Sequence, residues 1–160
     1  LPEAQLDRFM FNIYVDYPTR SEEEEIVMTT TAAPTADLHK ALDGQQIVTL
    51  QRLVRTVPVS EHLVSYAVKL ARSTRPGEEG SPDFINNWVT WGAGPRAGQY
   101  LVLAAKTRAI LDGRPTPSIE DIKFAAVPVL RHRIVTSFSA EAEGVDTLTI
   151  IAKLLEAVKE

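Results

Sequence analysis

The sequence has 160 residues, no cysteine and a formal net charge of −4. Hydrophobic residues make up 44% and charged residues 24%, as in an ordinary folded domain, so a disordered, collagen-like or fibrous chain is excluded. Disulfide bonds and cysteine-based zinc or catalytic sites are excluded too. The mildly acidic charge argues against nucleic-acid binding, and no apolar run reaches the roughly 20 residues of a membrane span.

The first segment predicts a β-strand without a partner. Residues 9–15 are short and rich in aromatic and β-branched side chains, and both faces are apolar, which is typical of a strand inside a parallel sheet. A lone strand is not stable, and no second strand is evident. Because the chain also opens on Leu1, we expect residues 1–17 to be the tail of an α/β domain that lies upstream. A strand paired with an undetected partner, or a short buried helix, is the alternative.

The rest of the chain predicts helices. Thr19 and Glu22 have the spacing of a capping box, and the helix that they begin should end before Pro34. Residues 32–46 have the composition of a connector, and residues 74–82 that of a loop. Further helices are predicted from apolar residues at helical spacing. They cover or begin at Ile47, Ser60, Ile85, Pro95, Ser118 and Leu148, with Gly92 and Gly113 as stops. The predicted fold is therefore mainly α, with about six helices behind one orphan strand.

The sequence contains no complete catalytic or metal site of a familiar pattern. The phosphate-binding pattern G-x-x-x-x-G-K-[ST], the zinc pattern H-E-x-x-H and the nucleophile pattern G-x-S-x-G are all missing. The three histidines, His39, His62 and His132, are far apart and lack ligand spacing. We therefore expect no metal bound by these residues and no catalysis by them alone.

Arg96 lies in the first turn of its predicted helix, directly after Pro95. A cation is mildly unfavourable there, because it faces the positive end of the helix dipole. The same helix start offers backbone amides to an anion, and the small residue Gly94 leaves room for it. Gly94, Pro95 and Arg96 are thus a candidate phosphate-binding group. An exposed arginine paired with a local carboxylate is the alternative.

Arg8 follows Asp7 directly before the predicted strand. At the rim of a sheet, an arginine could reach into a neighbouring subunit and neutralise charge on a transferring phosphoryl group. By spacing alone, an ordinary surface pair of Asp7 with Arg8 is the preferred interpretation.

Two stretches around these arginines carry a family resemblance. Residues 1–9, LPEAQLDRF, resemble the arginine-finger segment of the MoxR family of AAA+ ATPases. Residues 91–97, WGAGPRA, resemble the sensor 2 segment of that family, which often has serine where this chain has Gly94. Residues 125–133 and 141–144 extend the resemblance in the same order.

The resemblance implies that residues 1–18 are the tail of an AAA+ α/β core and residues 19–160 a helical lid. It implies that Arg96 is sensor 2, contacting ATP of its own subunit, and that Arg8 is an arginine finger for ATP of the adjacent subunit. ATP and Mg²⁺ would be held by Walker residues upstream, in a homo-oligomeric ring that is usually a hexamer. MoxR-like proteins are chaperones that assemble or activate protein complexes, often with partners that contain a von Willebrand factor A domain. We expect a cytoplasmic protein.

Two other functions stay open from the residues. A stand-alone helical module for protein interaction would need no nucleotide and no complete site. A helical nucleic-acid binder would have only the basic cluster at residues 131–133 to support it.

Overall fold

A computed structural model of the chain describes residues 3–33 and 39–159. The described residues are predominantly helical. In chain order the elements are α1 (Glu3–Leu6), α2 (Arg20–Thr31), α3 (Gly44–Thr56), α4 (Glu61–Arg72), α5 (Asp83–Trp88), β1 (Val89–Trp91), α6 (Pro95–Leu111), α7 (Ile119–Leu130), β2 (Val135–Thr136), α8 (Phe138–Ala142) and α9 (Thr147–Ala157). The centre of the predicted connector lies outside the described residues.

Six of these helices have eleven or more residues, and each of them, like the shorter α5, lies where the sequence predicts a helix. Their starts follow the sequence signals: Thr19 and Glu22 form the capping box of α2, and Pro95 occupies the first turn of α6. The connector is shorter than predicted, because Asp43 and Gln46 form a capping box that begins α3 at Gly44. The short helices α1 and α8 were not predicted, since four or five residues are too few to show an apolar period.

The core lies between α4, α5, α6, α7 and α9, with α6 packed between α4 and α7. The large side chains that are fully buried there are Leu70, Ile85, Leu101, Ile122, Leu130, Ile150, Ile151 and Leu154. Neither α2 nor α3 buries a residue, although α3 contacts α6 along one side. No helix in the described ranges is long and apolar enough to cross a membrane.

A small antiparallel sheet joins β1 to β2, with Val89 opposite Thr136 and Trp91 opposite Val135. The predicted helix through Val89 to Gly92 is wrong in this part, since α5 ends at Trp88. A strand of three residues is too short to show an alternating pattern, so the sequence does not predict it. The sheet forms by pairing between parts of the chain that are distant in sequence.

The segment predicted as an orphan strand differs from a strand in its hydrogen bonding. Residues 11–19 have no regular secondary structure, and no ladder forms with any described residue. The side chains of Ile13 and Val15 are exposed, while the backbone N–H of Asn12 donates to the carbonyl of Pro128 at 2.9 Å. Asn12 is therefore held against the end of α7, while the side chains that follow it remain exposed. The boundary between a core tail of residues 1–18 and a lid of residues 19–160 stays a prediction.

Asp121, in the first turn of α7, is the buried centre of a charged cluster. Its carboxylate accepts hydrogen bonds from the Arg114 guanidinium at 2.7 and 2.8 Å and from the Ser118 N–H at 2.7 Å. The hydrogen bonds from Arg114 outweigh burial and, with those from Ser118, lower the pKa of Asp121 to about 2.

Replacing Asp121 by asparagine should therefore destabilise the chain in a pH-dependent way. Because the folded pKa lies below the ordinary 3.8, the stabilisation is complete above about pH 4 and is lost as the pH falls towards 2. We expect Asp121→Asn to lower the free energy of unfolding by about 2 kcal/mol at pH 7 and by much less near pH 2, measured by urea unfolding. Asp112→Asn, at the half-exposed second partner of Arg114, is the control and should cost less than about 0.5 kcal/mol. Equal losses for Asp121→Asn at both pH values would contradict this assignment.

Candidate functional site

The turn from β1 to α6 is held in place by the residues that follow α4. The hydroxyl of buried Thr74 accepts a hydrogen bond from the N–H of Ala93 at 2.8 Å, and Arg75 Nε donates to the carbonyl of Ala93 at 2.9 Å. A Cβ on Gly92 would lie 2.3 Å from the carbonyl oxygen of Thr74. Gly92 is therefore required by this close approach of two backbones, and it fixes the direction in which α6 begins.

Helix α6 begins at Gly94, Pro95 and Arg96 without a side-chain cap. Gly94 is the N-cap residue and has no side-chain oxygen to accept from the amides of the first turn. Open space surrounds Gly94, since a Cβ built there would have no neighbour within 4 Å. The Arg96 side chain is 53% exposed. Pro95 has no N–H, and the Ala97 N–H donates to the carbonyl of Gly94 at 3.1 Å, so the donors that this helix start offers to a phosphate group are the Arg96 guanidinium and the Arg96 N–H.

Asp7 connects this helix start to the end of α7. One carboxylate oxygen lies 3.3 Å from Arg96 Nη1, and the other accepts a hydrogen bond from Arg133 Nε at 3.0 Å. Asp7 is thus shared between an exposed arginine and a buried one. The alternative interpretation of Arg96, an exposed arginine paired with a carboxylate, is therefore present in the structure. The partner is Asp7 rather than a carboxylate on the helix of Arg96.

Arg133 is the most buried charged side chain of the site, with 1% of its surface exposed. Its Nη2 donates to the carbonyls of Asp7 and Phe9, each at 2.6 Å, and its Nη1 donates to Val129 at the end of α7 and, at 3.4 Å, to Met10. Burial lowers the pKa of Arg133 and the Asp7 carboxylate opposes that shift, so the guanidinium stays charged.

Tyr100 and His132 hold the same stretch of backbone, residues 7–12, which we call the N-terminal segment. The Tyr100 hydroxyl donates to the carbonyl of Arg8 at 2.9 Å, and His132 Nε2 lies 3.0 Å from the carbonyl of Phe9. Burial lowers the pKa of His132, with the neighbouring Arg133 acting in the same direction. The carbonyls of four successive residues, 7–10, are thus bound by side chains of α6 or of the residues after α7.

The exposed side chain of Arg8 makes none of the hydrogen bonds of this network. Its guanidinium lies over the Phe9 ring at 5.3 Å, and no carboxylate among the described residues pairs with it. The predicted alternative, a pair of Asp7 with Arg8, is therefore absent from the described part of the chain, because Asp7 is engaged by Arg96 and Arg133. Arg8 remains exposed and carries a positive charge that no carboxylate among the described side chains neutralises.

A cavity of about 390 Å³ opens beside the start of α6. It is lined by Asp7, Trp91, Gly92, Gly94, His132, Arg133 and Val135. The sequence placed Gly94 in the candidate site and left out Asp7, His132 and Arg133. The basic cluster at residues 131–133 is the sequence signal for Arg133, but on the sequence alone such a cluster indicates nucleic-acid binding. Burial of Arg133 turns it inward, so this cluster does not present a basic surface.

The comparisons with known proteins agree with this architecture. Residues 85–154 match the AAA lid domain family. The chain is 34% identical to Chaperone MoxR1 of Mycobacterium tuberculosis, over 99% of the chain and 42% of that protein, and 29% identical to Protein MoxR of Methylorubrum extorquens, over 100% and 49%. A crystal structure of a candidate ATPase from Cytophaga hutchinsonii superposes with a TM-score of 0.90 at 32% identity, over 99% of this chain and 48% of that one.

The chain therefore spans about half the length of the relatives that it matches. The sequence-based interpretation of the fold as a helical lid is confirmed, and the matched region holds α6, α7 and most of α9. AAA+ proteins typically form oligomeric rings. Residues 85–154 thus match an AAA lid domain, and the chain as a whole is similar to about half of each MoxR protein and of the candidate ATPase.

Proposed function

We propose that this chain brings Arg96 to the phosphates of ATP bound by its own subunit, as sensor 2 of an ATP-hydrolysing protein. The observation that carries the proposal is the start of α6, where the exposed Arg96 guanidinium accompanies the N–H of the same residue at a helix start that has no side-chain cap. Both kinds of donor bind phosphate oxygens, and a guanidinium strengthens that contact as negative charge develops in the transition state.

The donors of this site suit the nucleotide rather than its metal ion. Mg²⁺ bound with ATP supplies positive charge between the phosphates, and it takes oxygen ligands. The described residues contain no group of three histidine or acidic side chains that could hold a metal. We assign the Mg²⁺ ligands and the Walker residues to the part of the protein outside this chain.

Arg8 is proposed to act on the neighbouring subunit. Its guanidinium is exposed and lacks a carboxylate partner among the described residues, so it is free to neutralise a phosphate of ATP bound by the adjacent subunit. Such an action in trans requires subunits in a ring, for which we propose a homohexamer in the cytoplasm. The name of the mycobacterial relative supports a chaperone function, and we propose a protein with a von Willebrand factor A domain as its partner.

The proposed role of Arg96 is tested by ATP hydrolysis in the full-length protein. We expect Arg96→Ala to lower kcat by about 10²-fold, because one donor to the transition state is lost. The matched control is Arg20→Ala, which removes an exposed arginine paired only with Glu24 on α2. Hydrolysis within threefold of the parent rate for Arg96→Ala would overturn the sensor role and favour an interaction module without a nucleotide.

A further inference from the structure

Arg133 is a buried side chain that makes more of the hydrogen bonds to the N-terminal segment than any other described side chain. We propose that Arg133, acting through Asp7, is a positioning residue that sets the place from which Arg8 reaches the neighbouring subunit. The inference rests on the proposed function of Arg8. It adds two residues to the site, neither of which would touch the nucleotide.

The contacts of Arg133 are concentrated on the residues around Arg8. The guanidinium donates to the carbonyls of the residues immediately before and after Arg8, which are Asp7 and Phe9, and also to the Asp7 carboxylate. Five N–H groups in a rigid planar fork make such a set of contacts possible, and a lysine ammonium could not reproduce them. The backbone on both sides of Arg8 is therefore fixed by one side chain that is 126 residues away in sequence.

The charge of Asp7 makes this position specific. A buried guanidinium is costly unless a carboxylate neutralises it, and Asp7 is the described carboxylate that pairs with Arg133. Moving the N-terminal segment by one residue would leave Arg133 without its counter-ion. The pair thus selects one register of the segment, and Arg8, as the next residue, takes its direction from that register.

Arg8 depends on this support because its own side chain has no other anchor. Its carbonyl is held by Tyr100, while its guanidinium contacts only the adjacent Phe9 ring among the interactions described. An arginine finger must place its guanidinium to within a fraction of an ångström, and a displacement of about 1 Å can cost up to about 10²-fold in rate. A shift of the backbone at Asp7 would produce such a displacement.

The experiment measures ATP hydrolysis by the full-length assembled protein with Asp7→Asn, with Arg133→Lys, and with each change combined with Arg8→Ala. Asp7→Asn keeps the shape of the side chain and removes its charge. Each single variant should lower kcat by about 10-fold and leave the KM for ATP within threefold. In the Arg8→Ala background neither change should lower kcat further, because no Arg8 guanidinium is left to be displaced.

The control is Arg131→Gln, two residues before Arg133, whose guanidinium lies over the Tyr14 ring and outside this network. It should leave kcat unchanged in both backgrounds. If Asp7→Asn lowers kcat equally with and without Arg8, or not at all in the otherwise unchanged protein, the positioning role is wrong while the role of Arg8 stands. If Arg8→Ala alone retains the parent rate, the proposed function of Arg8 fails instead. Should Arg133→Lys not fold, Asp7→Asn decides between these outcomes.

Discussion

Replacing Arg8 by alanine is expected to lower the kcat of ATP hydrolysis by about 10³-fold in the assembled full-length protein. The reason is that Arg8 is an exposed cation whose charge no described carboxylate of its own chain neutralises, so its proposed counter-charge is the phosphate of a neighbouring subunit. Binding of ATP to an isolated subunit should stay within about threefold of the parent, because no finger reaches its own site. Steady-state hydrolysis and a nucleotide titration at low protein concentration measure the two quantities.

Mixing two inactive variants tests whether Arg8 acts between subunits. Subunits with Arg8→Ala retain Arg96, and subunits with Arg96→Ala retain Arg8. Where one of each is adjacent, a single interface contains both arginines, so a mixed assembly should recover part of the hydrolysis that either variant lacks alone. If both arginines served the same subunit, no mixture would recover any activity, and the action in trans would be refuted.

Replacing Gly92 by alanine is expected to cost about 3 kcal/mol in the free energy of unfolding. The added Cβ would lie 2.3 Å from the carbonyl oxygen of Thr74 and 2.8 Å from the Cα of Arg75, and backbone atoms cannot move aside as the end of a flexible side chain can. Separating the two backbones would also break the hydrogen bond between the Ala93 N–H and the Thr74 hydroxyl. Chemical unfolding followed by circular dichroism measures the loss.

Gly94→Ala is the matched control for this steric argument. The two glycines are one residue apart, but a Cβ at Gly94 meets nothing within 4 Å and its backbone needs no positive φ. Alanine there should change the free energy of unfolding by less than about 1 kcal/mol. Equal losses for both variants would show that the turn, rather than the contact with Thr74, determines the effect.

The six long helices could be predicted because their signals are local. Capping residues such as Thr19 and Ser60, and the proline at Pro95, lie within a few residues of the helix starts that they specify. The pairing of β1 with β2 and the path of residues 11–19 could not be predicted in this way. They depend on hydrogen bonds between distant residues, as when the Ser137 N–H donates to the carbonyl of Trp88.

In the candidate site, too, the residues with a local sequence pattern could be predicted, and those that depend on distant contacts could not. Arg8 and Arg96 were identified because each lies in a short segment with a recognisable pattern, and Gly94 and Pro95 came with the helix start. Arg133 was not, since its role exists only when residues that are 126 positions apart meet. A lone arginine in an R-H-R sequence gives no sign of whether it is exposed or buried. Its burial by Asp7 and the adjacent carbonyls became visible only in the folded chain.

The short sheet has a mechanical consequence. β1 leads directly into the turn before α6, and β2 begins two residues after Arg133. The hydrogen bonds between the two strands therefore join the two ends of residues 89–136. Arg96 and Arg133 both lie within these residues, and Arg133 binds the N-terminal segment through its hydrogen bonds. Under the proposed function, a rotation that moves Arg96 towards a phosphate would therefore move Arg8 with it.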